Sequence, residues 1–289
     1  MINSFLLLKH MVKLTLLSLV SLICLSTKAQ NPPQKNWKLA VQLWTFNKFT
    51  FVEGVNKADS CGFKYIEAYP GQKLGGDFTG EMGPSMSGDE RKKLKEFLKR
   101  KGITFLAYGA VDGSDDAKED KDWVNCFEFA KEMGIKEIIA MPTPAQLDLV
   151  NELAGKYHIR VGIHDEPGKN PYDHPDSVVR AIKNRPNLDA CVDIGNWVRN
   201  GVDIVSALKY QLHGRVVSVH LKDVQVSGDE HSPETNLGRG VCNIPGILQE
   251  LKREGFTGFF SIEQPEEGAT GIKSIKEDAA YFHQQVAKL

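Results

Sequence analysis

The chain has 289 residues, 36 of them Lys or Arg and 37 Asp or Glu, with 41% hydrophobic and 9% aromatic side chains. That balance belongs to a soluble globular protein and excludes a disordered chain or a polytopic membrane protein. A formal net charge of −1 offers no broad cationic surface to a phosphate backbone, so no nucleic-acid partner is expected.

Lys9, His10 and Lys13 precede an unbroken apolar or small-polar run from Leu14 to Leu25, which is followed by Thr27-Lys28-Ala29 with small residues at the −3 and −1 positions of a cleavage site. The pattern predicts a signal peptide over residues 1–29 and an exported, periplasmic or secreted domain over residues 30–289. The apolar run of 12 residues is shorter than the ~20 a spanning helix needs, so no stable membrane anchor is expected. Four cysteines remain after processing (Cys61, Cys126, Cys191, Cys242). None forms a Cys-x-x-Cys pair, and buried or isolated thiols are expected rather than a four-cysteine metal site.

From Lys38 onward, short β-branched or aliphatic runs alternate eight times with longer amphipathic segments. The predicted pairs are Leu39–Trp44 with Phe51–Ser60, Tyr65–Ala68 with Gly88–Lys101, Thr104–Tyr108 with Asp120–Met133, and Glu137–Ala140 with Pro144–Tyr157. Then come Arg160–His164 with Pro175–Asn184, Ala190–Asp193 with Asp203–Gln211, Val216–Leu221 with Ile244–Glu254, and Phe259–Glu263 with Lys273–Ala287. Gly62, Gly102, Gly134 and Gly255 each sit between a helical pattern and the next strand, where a left-handed cap is needed. Eight such units in this length predict an α/β fold, a single (β/α)8 TIM barrel. An open doubly wound sheet is the weaker reading, because Leu43-Trp44-Thr45-Phe46 stands after the first strand in place of a Gly-x-Gly-x-x-Gly turn. The connections Pro70–Ser87 and Gln225–Asn243 are long enough to serve as binding loops.

Catalytic side chains of such a barrel come from the C-terminal ends of its strands. Strands five to eight end in Val161-Gly162-Ile163-His164, Cys191-Val192-Asp193, Val217-Ser218-Val219-His220 and Ser261-Ile262-Glu263. Period-two alternation turns Val161, Ile163, Val192, Val217, Val219, Phe260 and Ile262 toward the helices, and His164, Asp193, His220 and Glu263 toward the axis. Two imidazoles and two carboxylates at one mouth form a mixed nitrogen–oxygen site for one divalent metal ion such as Mn²⁺, Co²⁺, Zn²⁺ or Mg²⁺.

The segments Val192-Asp193-Ile194-Gly195-Asn196-Trp197-Val198-Arg199, Gly214–Asp223, Gly238-Arg239-Gly240 and Ser261-Ile262-Glu263 closely resemble the xylose isomerase-like barrel superfamily, in particular its sugar phosphate isomerase/epimerase branch. The resemblance spans essentially the whole processed chain. It implies a divalent metal held at His164, Asp193, His220 and Glu263, over which a sugar is isomerised or epimerised through an enediolate. Two departures stand out. Strand five ends in His164-Asp165-Glu166 where many relatives carry Glu or a His-Asn-His run, and Asp193-Ile194-Gly195-Asn196 replaces Asp-x-x-His. The first ligand is therefore His164 or Glu166. Glu263 is the expected base, with Lys222, Glu166 or Glu67 as its partner. Lys222 shares the parity of His220 and is the expected donor to the oxyanion.

Further residues complete the expected site. Glu67, ending strand two, either binds a sugar hydroxyl or solvates a loop. Trp44 and Trp197 follow strands one and six and offer either an aromatic face for a sugar or rim packing. Arg199 and Arg239 bind a phosphate or sugar hydroxyls, or else form surface ion pairs. The Lys-rich run Arg91–Lys101, with Leu94, Phe97 and Leu98 at helical spacing, reads as the solvated face of a helix rather than a nucleic-acid patch.

The expected activity is a metal-dependent isomerase or epimerase acting on a small sugar or glycoside, unphosphorylated because it is met outside the cytoplasm. A lyase or hydratase acting on a 3-keto sugar or 3-keto glycoside is the alternative, and a non-catalytic sugar-binding barrel is the second. A zinc endonuclease, also found in the superfamily, would need a richer histidine set. A homo-oligomer is compatible with the sequence.

Overall fold

A computed structural model describes residues 33–166, 171–264 and 271–289. The expected signal peptide, residues 1–29, lies outside them. Eight parallel strands close into a barrel: β1 (Lys38–Gln42), β2 (Tyr65–Ala68), β3 (Thr104–Asp112), β4 (Glu137–Met141), β5 (Arg160–Ile163), β6 (Leu188–Asp193), β7 (Val216–Leu221) and, eighth around the ring, β10 (Phe259–Ile262). β10 pairs with β1 (Val41 beside Ile262) and with β7 (Ser261 beside His220), which closes the ring.

The helices are α1 (Phe51–Ser60), α2 (Gly88–Lys101), α3 (Asp120–Met133), α4 (Leu147–Tyr157), α5 (Pro175–Ile182), α6 (Ile194–Arg199), α7 (Ile204–Tyr210), α8 (Ile244–Arg253) and α9 (Gly271–Val286). Capping boxes start α1 (Thr50 with Glu53) and α2 (Ser87 with Glu90), each satisfying two otherwise orphaned N–H groups. Gly102 and Gly134 end α2 and α3 with φ of 64° and 78°, the left-handed region where a side chain would be strained. No helix among the described residues is long and apolar enough to cross a membrane.

The apolar faces form two layers. Outward-facing strand residues such as Val161, Val192, Val219 and Ile262 pack under the helices with Trp123, Phe127 and Phe282. Ala40, Leu106, Ala107, Ile139, Cys191 and Phe259 fill the barrel itself. Gly162 belongs to this inner layer for want of room, since a Cβ there would lie 2.9 Å from the Cβ of Cys191. Cys126, Cys191 and Cys242 are buried thiols outside any disulfide, and burial pushes the first two up to about 12.

The structure departs from the predicted elements at sites where side chains bind backbone. β1 stops at Gln42, whose side chain accepts the Trp44 N–H and opens a 3₁₀ turn, Leu43–Phe46. α4 begins at Leu147 rather than Pro144, because the buried Gln146 accepts the Thr143 N–H and donates to the carbonyls of Gly113 and Ala117. Two elements escaped the sequence reading. α6 starts directly on Asp193. A short antiparallel ribbon, β8 (Asp223–Val224) with β9 (Glu234–Thr235), stands in the loop after β7. The buried Asp223 carboxylate accepts the N–H groups of Gly238, Gly240 and Cys242 and pins the return of that loop.

Candidate active site

His164, Asp193, His220 and Glu263 converge, each offering a ligand atom within 4.8 Å of the others. The barrel ladder sets their height: the His164 N–H donates to the Ala140 carbonyl and the Glu263 N–H to that of Leu221. His220 Nδ1 stands 3.1 Å from His164 Nε2, 2.7 Å from Glu263 Oε2 and 4.0 Å from Asp193 Oδ2. Adjacent ligands of an ion with ~2.1 Å bonds stand ~3 Å apart and opposite ones ~4 Å, so these donors suit one cation. His164 Nδ1 is buried without a hydrogen bond, a state that costs ~1–3 kcal/mol, whereas Asp193 Oδ2 and Glu263 Oε2 meet the charges of Lys222 and His220. Glu166 lies outside this cluster, on the cavity wall, so His164 completes the set.

The charges around the cluster are fixed by close partners. Burial, with the neighbouring His220, holds the His164 imidazole well below the usual histidine range, leaving it neutral. Burial also opposes a charge on His220, but Cys191 and the Glu67 and Glu263 carboxylates outweigh it and hold His220 well above that range. A cation at Nδ1 would take the place of this proton. Lys222 is buried, with Nζ 2.9 Å from Asp193 Oδ2 and 3.4 Å from Glu263 Oε1. These two carboxylates overcome the desolvation of the ammonium and keep it charged. Glu263 is also buried, yet Lys222 and His220 hold its carboxyl well below the usual range. Burial and the nearby Glu263 raise Glu166 instead.

Several expected contacts fall elsewhere. Glu67 meets neither a sugar nor solvent: fully buried, it accepts from His220 Nε2 at 3.0 Å and from the Ser261 hydroxyl at 2.8 Å. This orients the ring so that Nδ1 faces the cluster, as carboxylates behind metal-binding histidines do. Trp197 is not an aromatic face for a sugar. Four residues into α6, it is turned into the core, and its indole N–H donates to the Tyr172 carbonyl. Arg239 is not at the mouth either; it forms a surface pair with Glu277. The Gly238-Arg239-Gly240 motif serves Asp223, since a Cβ on Gly240 would lie 2.2 Å from its Oδ1. Arg199 does line the cavity, held by Glu234 and the Ser232 carbonyl, and Trp44 stands at the rim.

Sequence reasoning missed Asp165, whose buried carboxylate accepts the Asp193 N–H, and Asn196, which donates to the Asp165 carbonyl. It also missed Tyr69, Asp112, Asp115, Asp116 and Glu234 on the cavity wall. The acidic run after strand three, Asp112 to Asp116, was the one available signal, for loops leaving strand ends build the mouth of a barrel.

The model of the xylose isomerase-like TIM barrel matches residues 55–285. The chain belongs to the xylose isomerase-like TIM-barrel family. Several solved structures share its fold. One from Parabacteroides distasonis ATCC 8503, described as an uncharacterized protein, is 31% identical with a TM-score of 0.68 and covers 86% of this chain and 99% of its own. The probable 3-DHS dehydratase AsbF of petrobactin synthesis in Bacillus anthracis is 15% identical, with a TM-score of 0.66 and coverage of 85% and 98%. An L-ribulose 3-epimerase is 13% identical, with a TM-score of 0.67 and coverage of 87% and 95%. Among curated proteins, the uncharacterized MJ1311 of Methanocaldococcus jannaschii is 27% identical over 150 residues, and the match spans about half of either chain.

Proposed function

We propose that the protein is an exported, divalent-metal-dependent isomerase or epimerase for a non-phosphorylated sugar or glycoside. The observation that carries this reading is the convergence of His164, Asp193, His220 and Glu263 at the floor of a cavity that also holds Lys222 and Glu166. A divalent ion held by these four would polarise the sugar carbonyl and its neighbouring hydroxyl and so acidify the adjacent C–H. The Glu263 carboxylate takes that proton. The Lys222 ammonium, held charged by two carboxylates, donates to the oxygen on which negative charge grows. Glu166, with its raised proton affinity, returns a proton to carbon. The absence of phosphate from the substrate is supported by the mouth itself. Its cations among the described residues, Arg199 and Lys222, are already paired with Glu234 and with Asp193 and Glu263, beside Asp112, Asp115 and Asp116.

The fixed Lys222 ammonium favours a second reading as a lyase or hydratase of a 3-keto sugar or glycoside. Removal of the C2 proton by Glu263 then breaks the C1–O bond, and the departing oxygen takes its proton from Glu166. Metal analysis with solvent-deuterium exchange on free and 3-keto sugars tests both. Exchange with the linkage intact supports epimerisation, and release of the C1 substituent supports the lyase. Metal-bound protein that exchanges no sugar proton would instead mark a non-catalytic binding barrel.

A further inference from the structure

The cavity above the ligand cluster has a volume of 460 Å³, and its floor and rim differ in character. His164, His220, Lys222 and Glu263 form a buried floor. At the rim Trp44 is 44% exposed and lines the same cavity. Its ring is braced edge-on by Tyr69, with centroids 5.0 Å apart and planes at 80°. The turn that carries Trp44 is also fastened to the catalytic strand. The Thr45 hydroxyl donates to the Ile262 carbonyl and accepts the Gln264 N–H, bonding the backbone on both sides of Glu263. Trp44 is thus an open aromatic face held at a fixed place beside the floor.

Size then separates one bound ring from two. A hexose fills the space of about six waters, ~180 Å³, so a single ring seated at the floor leaves more than half of the cavity to solvent. A second ring has room beside the first and comes to the rim where Trp44 stands. A saturated sugar ring presents C–H groups, and an aromatic ring a π face, to such a surface. Neither needs a cation, and Arg199 and Lys222 are already paired.

We propose that the substrate is a two-ring glycoside whose inner sugar binds at the floor and whose outer ring stacks on Trp44. The proposal rests on the reading of the floor as a sugar site. Isothermal titration of the Mn²⁺-loaded protein tests it with glucose, galactose, mannose and xylose, and with the methyl glycosides, phenyl glycosides and β-linked disaccharides of each. At least one two-ring ligand should bind about tenfold or more tighter than the methyl glycoside of the same sugar, and Trp44→Ala should remove that advantage. A gain for phenyl glycosides alone assigns the rim to aromatic aglycones; a gain for both classes assigns it to rings in general. A methyl glycoside that binds as tightly as its two-ring counterparts, or an advantage that survives Trp44→Ala with metal content and melting curve unchanged, overturns the proposal while leaving the sugar site standing. Failure of every sugar, free or glycosylated, to bind overturns the sugar site and this proposal together.

Discussion

Glu67 acts on the cluster through one ring, which makes its contribution measurable without knowledge of the substrate. Both of its oxygens lie close to His220 Nε2, at 3.0 and 3.1 Å, and neither side chain is reached by solvent. The carboxylate keeps a proton on Nε2, so that it is the Nδ1 proton a cation would displace, and it raises the donor strength of Nδ1 once that proton is gone. Glu67→Gln retains an acceptor for that N–H but loses the charge, whereas Glu67→Ala loses both and strands the Ser261 hydroxyl. Partners of this kind are worth ~10–100-fold in metal affinity. The Gln variant should sit near the lower end and the Ala variant near the upper, ~1.4 and ~2.7 kcal/mol respectively. Competition between the protein and a chelator, monitored for Mn²⁺ or Zn²⁺ across the three proteins, gives the ordering wild type, Gln, Ala. A wild-type affinity in a folded Glu67→Ala protein would refute the coupling between Glu67 and the metal through His220.

Asp193→Asn should abolish metal binding with the fold intact, checked by metal stoichiometry and circular dichroism. Asn is preferred to Ala here because Asp193 Oδ1 also caps α6 by accepting the Asn196 N–H. Glu263→Gln, with its metal content verified, should lose solvent-deuterium exchange far more than substrate affinity, and Lys222→Met should slow turnover by ~10²–10³; exchange at the wild-type rate in Glu263→Gln would place the base elsewhere. Glu137, buried at the start of β4 with Oε1 unpartnered, is pushed up to about 8 by burial. Its contribution to stability is therefore full below the ordinary glutamate range, declines as pH rises and is lost above about 8. The loss approaches ~5 kcal/mol. Denaturant titrations at pH 5 and pH 9 should show a smaller decline for Glu137→Gln than for the wild type, and equal declines would contradict the assignment. Intact-mass measurement of exported protein should show a chain beginning near Gln30.

The four converging side chains were legible because strand parity is a local property: each follows or ends a short β-branched run, and period two fixes its side of the sheet. Trp197, read from its place after strand six as either a sugar face or rim packing, packs into the core instead. Parity does not carry across Asp193, where α6 begins and a 3.6-residue period turns the indole inward. Glu67 could not be assigned from sequence, because its partner His220 lies 153 residues away across the barrel axis. Gly238-Arg239-Gly240 was visible as a motif, but its purpose depends on Asp223, which reaches it only after the chain has folded back through the ribbon.

That ribbon divides the loop after β7 into parts with different freedom to diverge. One leg follows Lys222 directly and is tied down by Asp223, and the other is held where Arg199 grips Ser232 and Glu234. Between them, residues 226 to 231 reach solvent and lie outside the cavity wall, tied to α6 where the Ser227 hydroxyl and the Gly228 N–H donate to the Val198 carbonyl. Replacements and insertions at the exposed positions of this tip can accumulate in a lineage without moving Lys222.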